Sequence, residues 1–177
     1  MRYGKPLEIT HHLGANGFLA LGSKVIAEVC LVLQQPSGLL LATSKPFYPQ
    51  GSYRLPTRSI EPGETVMDAL ERGARDEFGL EAHILRYLAH ITYLHNEGRL
   101  FHSYVFLLRA DDTLNPSPRG EPSRRLHQVS GSDLVAAASA LEQLPADFSR
   151  ELGSTWADWG RFRAVAHRVA AQALSET

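Results

Sequence analysis

The sequence predicts an α/β (α+β) fold, a mixed β-sheet covered by helices, and three observations predict it. Apolar strand-like runs at 26–33 and 39–43 flank the turn-forming Gln34-Gln-Pro-Ser-Gly38. An amphipathic helical pattern over 65–79 separates that pair from two further strand-like runs at 83–95 and 100–108. The chain then carries two helical patterns, 134–144 and 156–174. Strands on both sides of a helix, followed by helices in succession, build layers around a sheet.

Each element has a local reason. Residues 1–24 resist assignment, because Gly14, Gly17 and Gly22 interrupt any period. The run 26–33 is rich in Val, Ile and Leu and pairs with 39–43 as a hairpin. Residues 45–51 hold two prolines and two aromatics and read as a loop, after which Tyr53-Arg-Leu55 reads as a short strand. Thr65 is a good N-cap, Asp68 completes a capping box, and Gly79 ends the helix. Val66, Leu70, Ala74 and Phe78 recur at spacing four and form its core stripe. Asn96-Glu97-Gly98 is a hairpin turn between the strands at 83–95 and 100–108. Residues 110–122, with Pro116, Pro118 and Pro122, read as a polar, flexible loop. Ser130-Gly-Ser-Asp133 is a cap region for the Ala-rich helix at 134–144. In the last helix Trp159, Phe162, Ala166, Val169 and Ala173 share one face, so Trp156 and Trp159 are core anchors rather than stacking platforms.

With 177 residues, the chain fits one domain over 1–177, its core at about 26–145 and the helix at 156–174 packed on it. An apolar content of 44% and a charged content of 21% suit a globular protein. A net charge of −1 provides no overall field for nucleic acid or an anionic membrane. Cys30 stands alone, cannot form an internal disulfide, and reads as a small buried hydrophobe. No run approaches the ~20 apolar residues of a spanning helix, and the first residues lack a leader pattern, so a cytoplasmic location is expected.

The chemistry concentrates between Arg58 and Leu80, a loop Arg58-Ser-Ile-Glu-Pro-Gly-Glu64 followed by the helix with Arg72-Gly-Ala-Arg-Asp-Glu-Phe-Gly-Leu80. Helix positions 73, 76 and 77 lie on one face and hold Gly73, Asp76 and Glu77. Asp76 and Glu77 are thus adjacent carboxylates at the end of the helix. Gly73 supplies no carboxylate and weakens the helix by roughly 1 kcal/mol relative to Ala; it can instead permit a close approach.

This stretch resembles the Nudix box: Gly, five residues, Glu, seven residues, then Arg-Glu-aliphatic-x-Glu-Glu-x-Gly-aliphatic. Glu64, Arg72, Glu77, Gly79 and Leu80 match; Ala74 and Asp76 nearly match; Arg58 stands for the leading Gly and Gly73 for a Glu. The resemblance covers about 26–145 and is sharp only in the box and its lead-in Tyr53-Arg-Leu-Pro56. It implies an α/β/α sandwich with the box as a loop-helix-loop. It also implies a pyrophosphohydrolase acting on a nucleoside diphosphate derivative by Mg²⁺- or Mn²⁺-assisted attack of water, with activity weakened or altered by the degenerate box and its Gly73. Asp76, Glu77 and Glu64 would then hold the metal, with Glu77, Glu64 and Arg72 serving catalysis.

Several roles stay open at this point. Glu64 and Arg72 also fit a structural salt bridge, and Glu61 a surface charge. A general base from outside the box would come from Glu97 or Glu121, both in loops. Arg58, with Arg54 beside it, would bind the substrate's phosphates, a guanidinium standing in for part of the metal's charge; a solvated loop arginine is the alternative. Arg119, Arg124 and Arg125 form a basic cluster that reads as solvated. His90 and His102 sit in strands, and the histidines show no metal-ligand spacing. The expected partner is a nucleotide-type small molecule, without membrane or specific nucleic acid, and a homodimer is compatible with the sequence. The rival function is a non-catalytic Nudix-fold nucleotide-binding or regulatory module, favoured by Arg58 and Gly73.

Overall fold

The computed structural model describes residues 2–13, 25–95, 98–110, 116–117, 119 and 123–176. The hairpin turn at 96–97, with Glu97, and most of the loop at 110–122, with Glu121, lie outside the described residues, as do Gly14, Gly17 and Gly22.

The elements run β1 Leu7–His12, β2 Ala27–Gln34, β3 Leu40–Ser44, β4 Thr57–Ser59, α1 Val66–Phe78, β5 Ala82–Leu94, β6 Leu100–Ala110, β7 Arg125–Val129, α2 Gly131–Glu142, β8 Phe148–Ser149, β9 Ser154–Thr155 and α3 Trp156–Ser175. The main sheet has the order β1-β5-β6-β2-β3-β7, with β4 also paired to β2. It is mixed: β1 runs parallel to β5 and β2 to β6, while the remaining pairs are antiparallel.

β2 shows why two helical layers form. Side chains alternate across a strand, and both faces of β2 are buried. Val29, Leu31 and Leu33 pack with Ala69, Leu70, Ala74 and Phe78 of α1. Cys30 and Val32 belong to the opposite core, with Trp159, Phe162, Ala166, Val169 and Ala173 of α3. Fully burying a Phe such as Phe78 or Phe162 contributes about 1.5–3 kcal/mol. The expected α/β/α sandwich is present, as are the stripes of both helices.

Thr65 and Asp68 cap α1 reciprocally, Thr65 Oγ1 accepting from the Asp68 N–H at 3.1 Å and Asp68 Oδ2 from the Thr65 N–H at 3.0 Å. Gly79 closes the helix at φ 70°, in the left-handed region that favours glycine. α2 starts at residue 131 rather than 134, because Ser130 and Asp133 form a second capping box.

Two sequence expectations shift. No strand forms at 53–55; Arg54 makes one isolated bridge to Thr43, and the strand is β4, opposite Glu28, Val29 and Cys30. β1 and β7 were not assigned from the sequence. β1 is half-buried on alternate residues only, and β7 lies at the sheet edge beside β3 with a weak apolar alternation.

β3 and β4 share one side of β2, β3 taking its end and β4 its beginning. The chain between them, 45–56, must leave the sheet and return. That excursion builds the cleft described next.

Candidate functional site

The box forms a tight polar junction. Arg72 donates from Nε to Glu64 Oε1 at 2.8 Å and from Nη2 to Glu64 Oε2 at 2.9 Å, a bidentate pair. Arg72 Nη2 also reaches the Ser59 carbonyl at 2.7 Å, and Glu64 Oε2 accepts from the Glu61 N–H at 2.9 Å. The hydrogen bonds from Arg72 and then from Glu61 pull the Glu64 carboxyl down to about 2. Both oxygens of Glu64 are thus committed to tying the loop to α1.

Asp76 and Glu77 lie at the far end of α1, beside one another. Arg58, reaching from β4, donates from Nη2 to Asp76 Oδ2 at 2.5 Å, and its Nε stands 3.9 Å from Glu77 Oε1. Arg72 Nη1 is 4.0 Å from the same Asp76 oxygen. Glu77 is wholly buried and pairs through Oε2 with Arg124, whose side chain is only 7% exposed. The sequence reading of Arg124 as solvated is therefore corrected: the guanidinium lies inside, against the box. Burial, then the nearby Arg54 and Arg58, lowers Arg124 to about 10, so it remains charged at neutral pH.

Gly73 has a visible neighbour. A Cβ placed there would stand 3.2 Å from Arg58 Cγ and 3.3 Å from both Leu31 Cδ atoms. The aliphatic part of Arg58 therefore crosses the bare helix at residue 73 on its way to the carboxylates.

Among the described residues, the donor set does not fit a divalent cation as it stands. Each acidic side chain faces a guanidinium, and Glu64 is saturated. Among the described residues, no group of three or more His, Cys, Asp or Glu side chains is placed to hold a metal. A cation entering between Asp76 and Glu77 would have to displace two arginines and leave a buried guanidinium without its partner, a large penalty.

Next to the box opens a cleft of about 830 Å³, lined by Lys45, Tyr48, Tyr53, Arg124, Arg125 and His127 among others. Tyr53 and His127 stack at 5.6 Å, and Ser44 Oγ holds His127 Nε2 at 2.6 Å. Tyr48 packs on Trp159 at 5.0 Å and Trp156 at 6.1 Å, so α3 supports this wall. Arg54, which sequence suggested as a phosphate contact, is buried. It donates to Tyr48 Oη at 2.9 Å, the Leu55 carbonyl at 3.0 Å and Thr57 Oγ1 at 3.1 Å, holding the excursion together. Arg124 is shared, lining the cleft and pairing with Glu77.

The model of the NUDIX domain matches residues 24–152. The chain belongs to the Nudix family. Among solved structures with the same fold, the E. coli ORF135 protein is 24% identical, over 67% of this chain and 81% of that one, with a TM-score of 0.50. A NUDIX hydrolase from Nitrosomonas europaea is 16% identical, over 79% of this chain and 91% of that one, with a TM-score of 0.52. At these identities the likeness speaks for the Nudix fold alone. No curated protein matches the chain.

His90 and His102 do not join the cleft's lining. They hydrogen-bond to each other at 3.0 Å, and His90 Nδ1 meets Glu8 on the edge strand β1 at 2.9 Å. The cleft's other walls escaped the sequence reading, because Lys45, Tyr48 and Tyr53 meet Arg124, Arg125 and His127 only through the β3–β7 pairing. The only forewarning was the Arg124-Arg125 pair itself.

Proposed function

We propose that this Nudix protein binds a nucleoside-diphosphate-type ligand in the cleft beside the box, and does so without a divalent cation. The observation that carries the reading is the position of Arg124. One guanidinium neutralises the buried Glu77 and also lines a cleft that holds Lys45, Arg125 and the stacked Tyr53–His127 pair. Lys and Arg suit a diphosphate group, and the aromatic wall suits a planar base. A cleft of this size lies within the range of small-molecule sites. Among the described residues, no helix is long and apolar enough to cross a membrane.

A second reading, hydrolysis of the diphosphate linkage, is favoured by one observation. Asp76 keeps 34% of its side chain exposed and adjoins Glu77, whose partner Arg124 lines the cleft.

One experiment separates the two. The protein is titrated calorimetrically with a panel of nucleoside diphosphates and nucleoside diphosphate sugars, in EDTA and in Mg²⁺ or Mn²⁺, and each mixture is analysed for phosphate-bearing products. Binding that is unchanged by EDTA, with no products, is the expected result. Turnover in metal that Glu77→Gln abolishes would establish the hydrolase and overturn the binding module.

A further inference from the structure

We propose that Arg58 and Gly73 are a coupled pair: Arg58 supplies the positive charge between Asp76 and Glu77 that a bound cation would otherwise supply, and Gly73 is the space its side chain needs. The proposal deepens the metal-free reading given above, but it rests on separate geometry.

Arg58 starts on β4, opposite Val29 of β2, so its backbone is fixed by the sheet. To reach the end of α1 its aliphatic part must pass over the helix at residue 73. There a Cβ would already stand 3.2 Å from Arg58 Cγ, while Leu31 closes the other side at 3.3 Å. Contacts this short force a neighbour to move. Leu31 is fully buried in the core and Arg58 is tethered to Asp76 at 2.5 Å, so neither yields freely. The guanidinium then sits against two carboxylates, bonded to one and 3.9 Å from the other. A glycine that weakens α1 and an arginine in a β-strand thus have one explanation.

The pairing makes a specific claim about reversal. Helix positions 73, 76 and 77 share a face, so Gly73→Glu adds a third carboxylate beside Asp76 and Glu77. While Arg58 remains, that carboxylate meets a guanidinium and a closed space. Removing Arg58 alone opens the space but leaves only two carboxylates, one of them bound by Arg124. Both changes together are required for a cation site.

Four proteins test this: the parent, Arg58→Ala, Gly73→Glu and the double variant. Each is titrated with Mn²⁺ and followed by electron paramagnetic resonance of the free ion. The double variant is expected to bind Mn²⁺ at least about tenfold more tightly than either single variant, the non-additivity of neighbours in one network. Equal binding by the parent, or an Arg58→Ala gain as large as that of the double variant, would overturn the proposal. A second cycle keeps the claim open to disproof if the glutamate variants fold poorly. Gly73→Ala is expected to lower Tm in the parent and to lower it less, or not at all, in the Arg58→Ala background, where only Leu31 still crowds the added Cβ. Additive Tm changes across that cycle would equally overturn the coupling. The second cycle needs no ligand, so failure of the coupling and failure of the cleft's binding role are read separately.

Discussion

His167 on α3 accepts a hydrogen bond through Nε2 from the backbone N–H of Leu55, 3.1 Å away, and donates through Nδ1 to the Arg163 carbonyl at 2.9 Å. The ring must be neutral to do both, since only a neutral imidazole offers an acceptor. It is buried in α3, far along the chain from Leu55, yet it satisfies a backbone donor in the lead-in to the box. Through it the last helix helps set where β4 and Arg58 lie.

Stability should therefore fall on mild acidification. Burial, the largest cause, lowers His167 to about 4 from an ordinary 6.5. The unfolded chain binds a proton below its own pKa while the folded protein refuses one. The His167 contribution is complete above about pH 6.5 and is lost progressively as pH falls toward 4, amounting to about 3 kcal/mol. Urea unfolding of the parent at pH 7, 5.5 and 4.5 should show this decline. His167→Gln, which does not titrate, should have lower stability at pH 7 and a shallower slope; an unchanged slope would sink the assignment.

Arg163 and Glu28 form a second link between α3 and the sheet. Arg163 Nη1 donates to both Glu28 oxygens at 2.9 and 3.1 Å, and both residues are buried. Removing one partner leaves a buried charge. Arg163→Met or Glu28→Gln should each destabilise the protein by about 3–5 kcal/mol, whereas Glu28→Leu with Arg163→Met should recover much of the loss. Chemical denaturation of the three variants checks both statements.

The legible parts of this molecule are the local ones. The two sides of α1 were readable from a cap, a stripe and a terminal glycine, because these obey spacing rules within one helix. β2 and β3 were readable because a turn lies between them. The identities of Arg58 and Gly73 stood out against the Nudix pattern, but their contact did not, since β4 must be placed on β2 before Arg58 can cross residue 73. Arg124 reads as solvated in the sequence for the same reason. A basic residue in a proline-rich stretch looks solvated until the β3–β7 pairing carries it to Glu77. Arg54 looked like a phosphate contact in sequence and is a buried hydrogen-bond hub in space.

The two halves of the cleft should separate by ligand. Tyr53 contributes to the aromatic wall with His127, and Arg125 to the cationic side. Tyr53→Ser should weaken nucleoside diphosphate binding by about tenfold, near 1.4 kcal/mol, and leave inorganic pyrophosphate binding unchanged. Arg125→Ala should weaken both. Calorimetric titration in EDTA distinguishes them, and a Tyr53→Ser protein that binds nucleoside diphosphate as the parent does would rule out the stacking wall.

Gly79 is held by two independent demands, and its replacement should be costly. Its φ of 70° disfavours any residue with a Cβ, by roughly 1–2 kcal/mol. In addition a Cβ there would stand 2.1 Å from the carbonyl oxygen of Ser117. That oxygen cannot simply retreat, because the Ser117 N–H donates to the Phe78 carbonyl at 2.7 Å and the Arg119 N–H to the Asp76 carbonyl at 3.1 Å. These bonds satisfy carbonyls in the last turn of α1 and hold Ser117 and Arg119 against it. Gly79→Ala must therefore either strain the cap or expel Ser117 and Arg119 from the end of α1. Expulsion would disturb the helix end that carries Glu77 and so its contact with Arg124. The expected outcome is a lower Tm together with weaker pyrophosphate binding in EDTA. Gly38→Ala is the control: its φ is 85°, but a Cβ there meets nothing within 4 Å. It should carry the backbone cost alone and leave pyrophosphate binding intact. If both variants lost the same Tm and neither lost binding, the Ser117 contact would have no part in ordering the cleft.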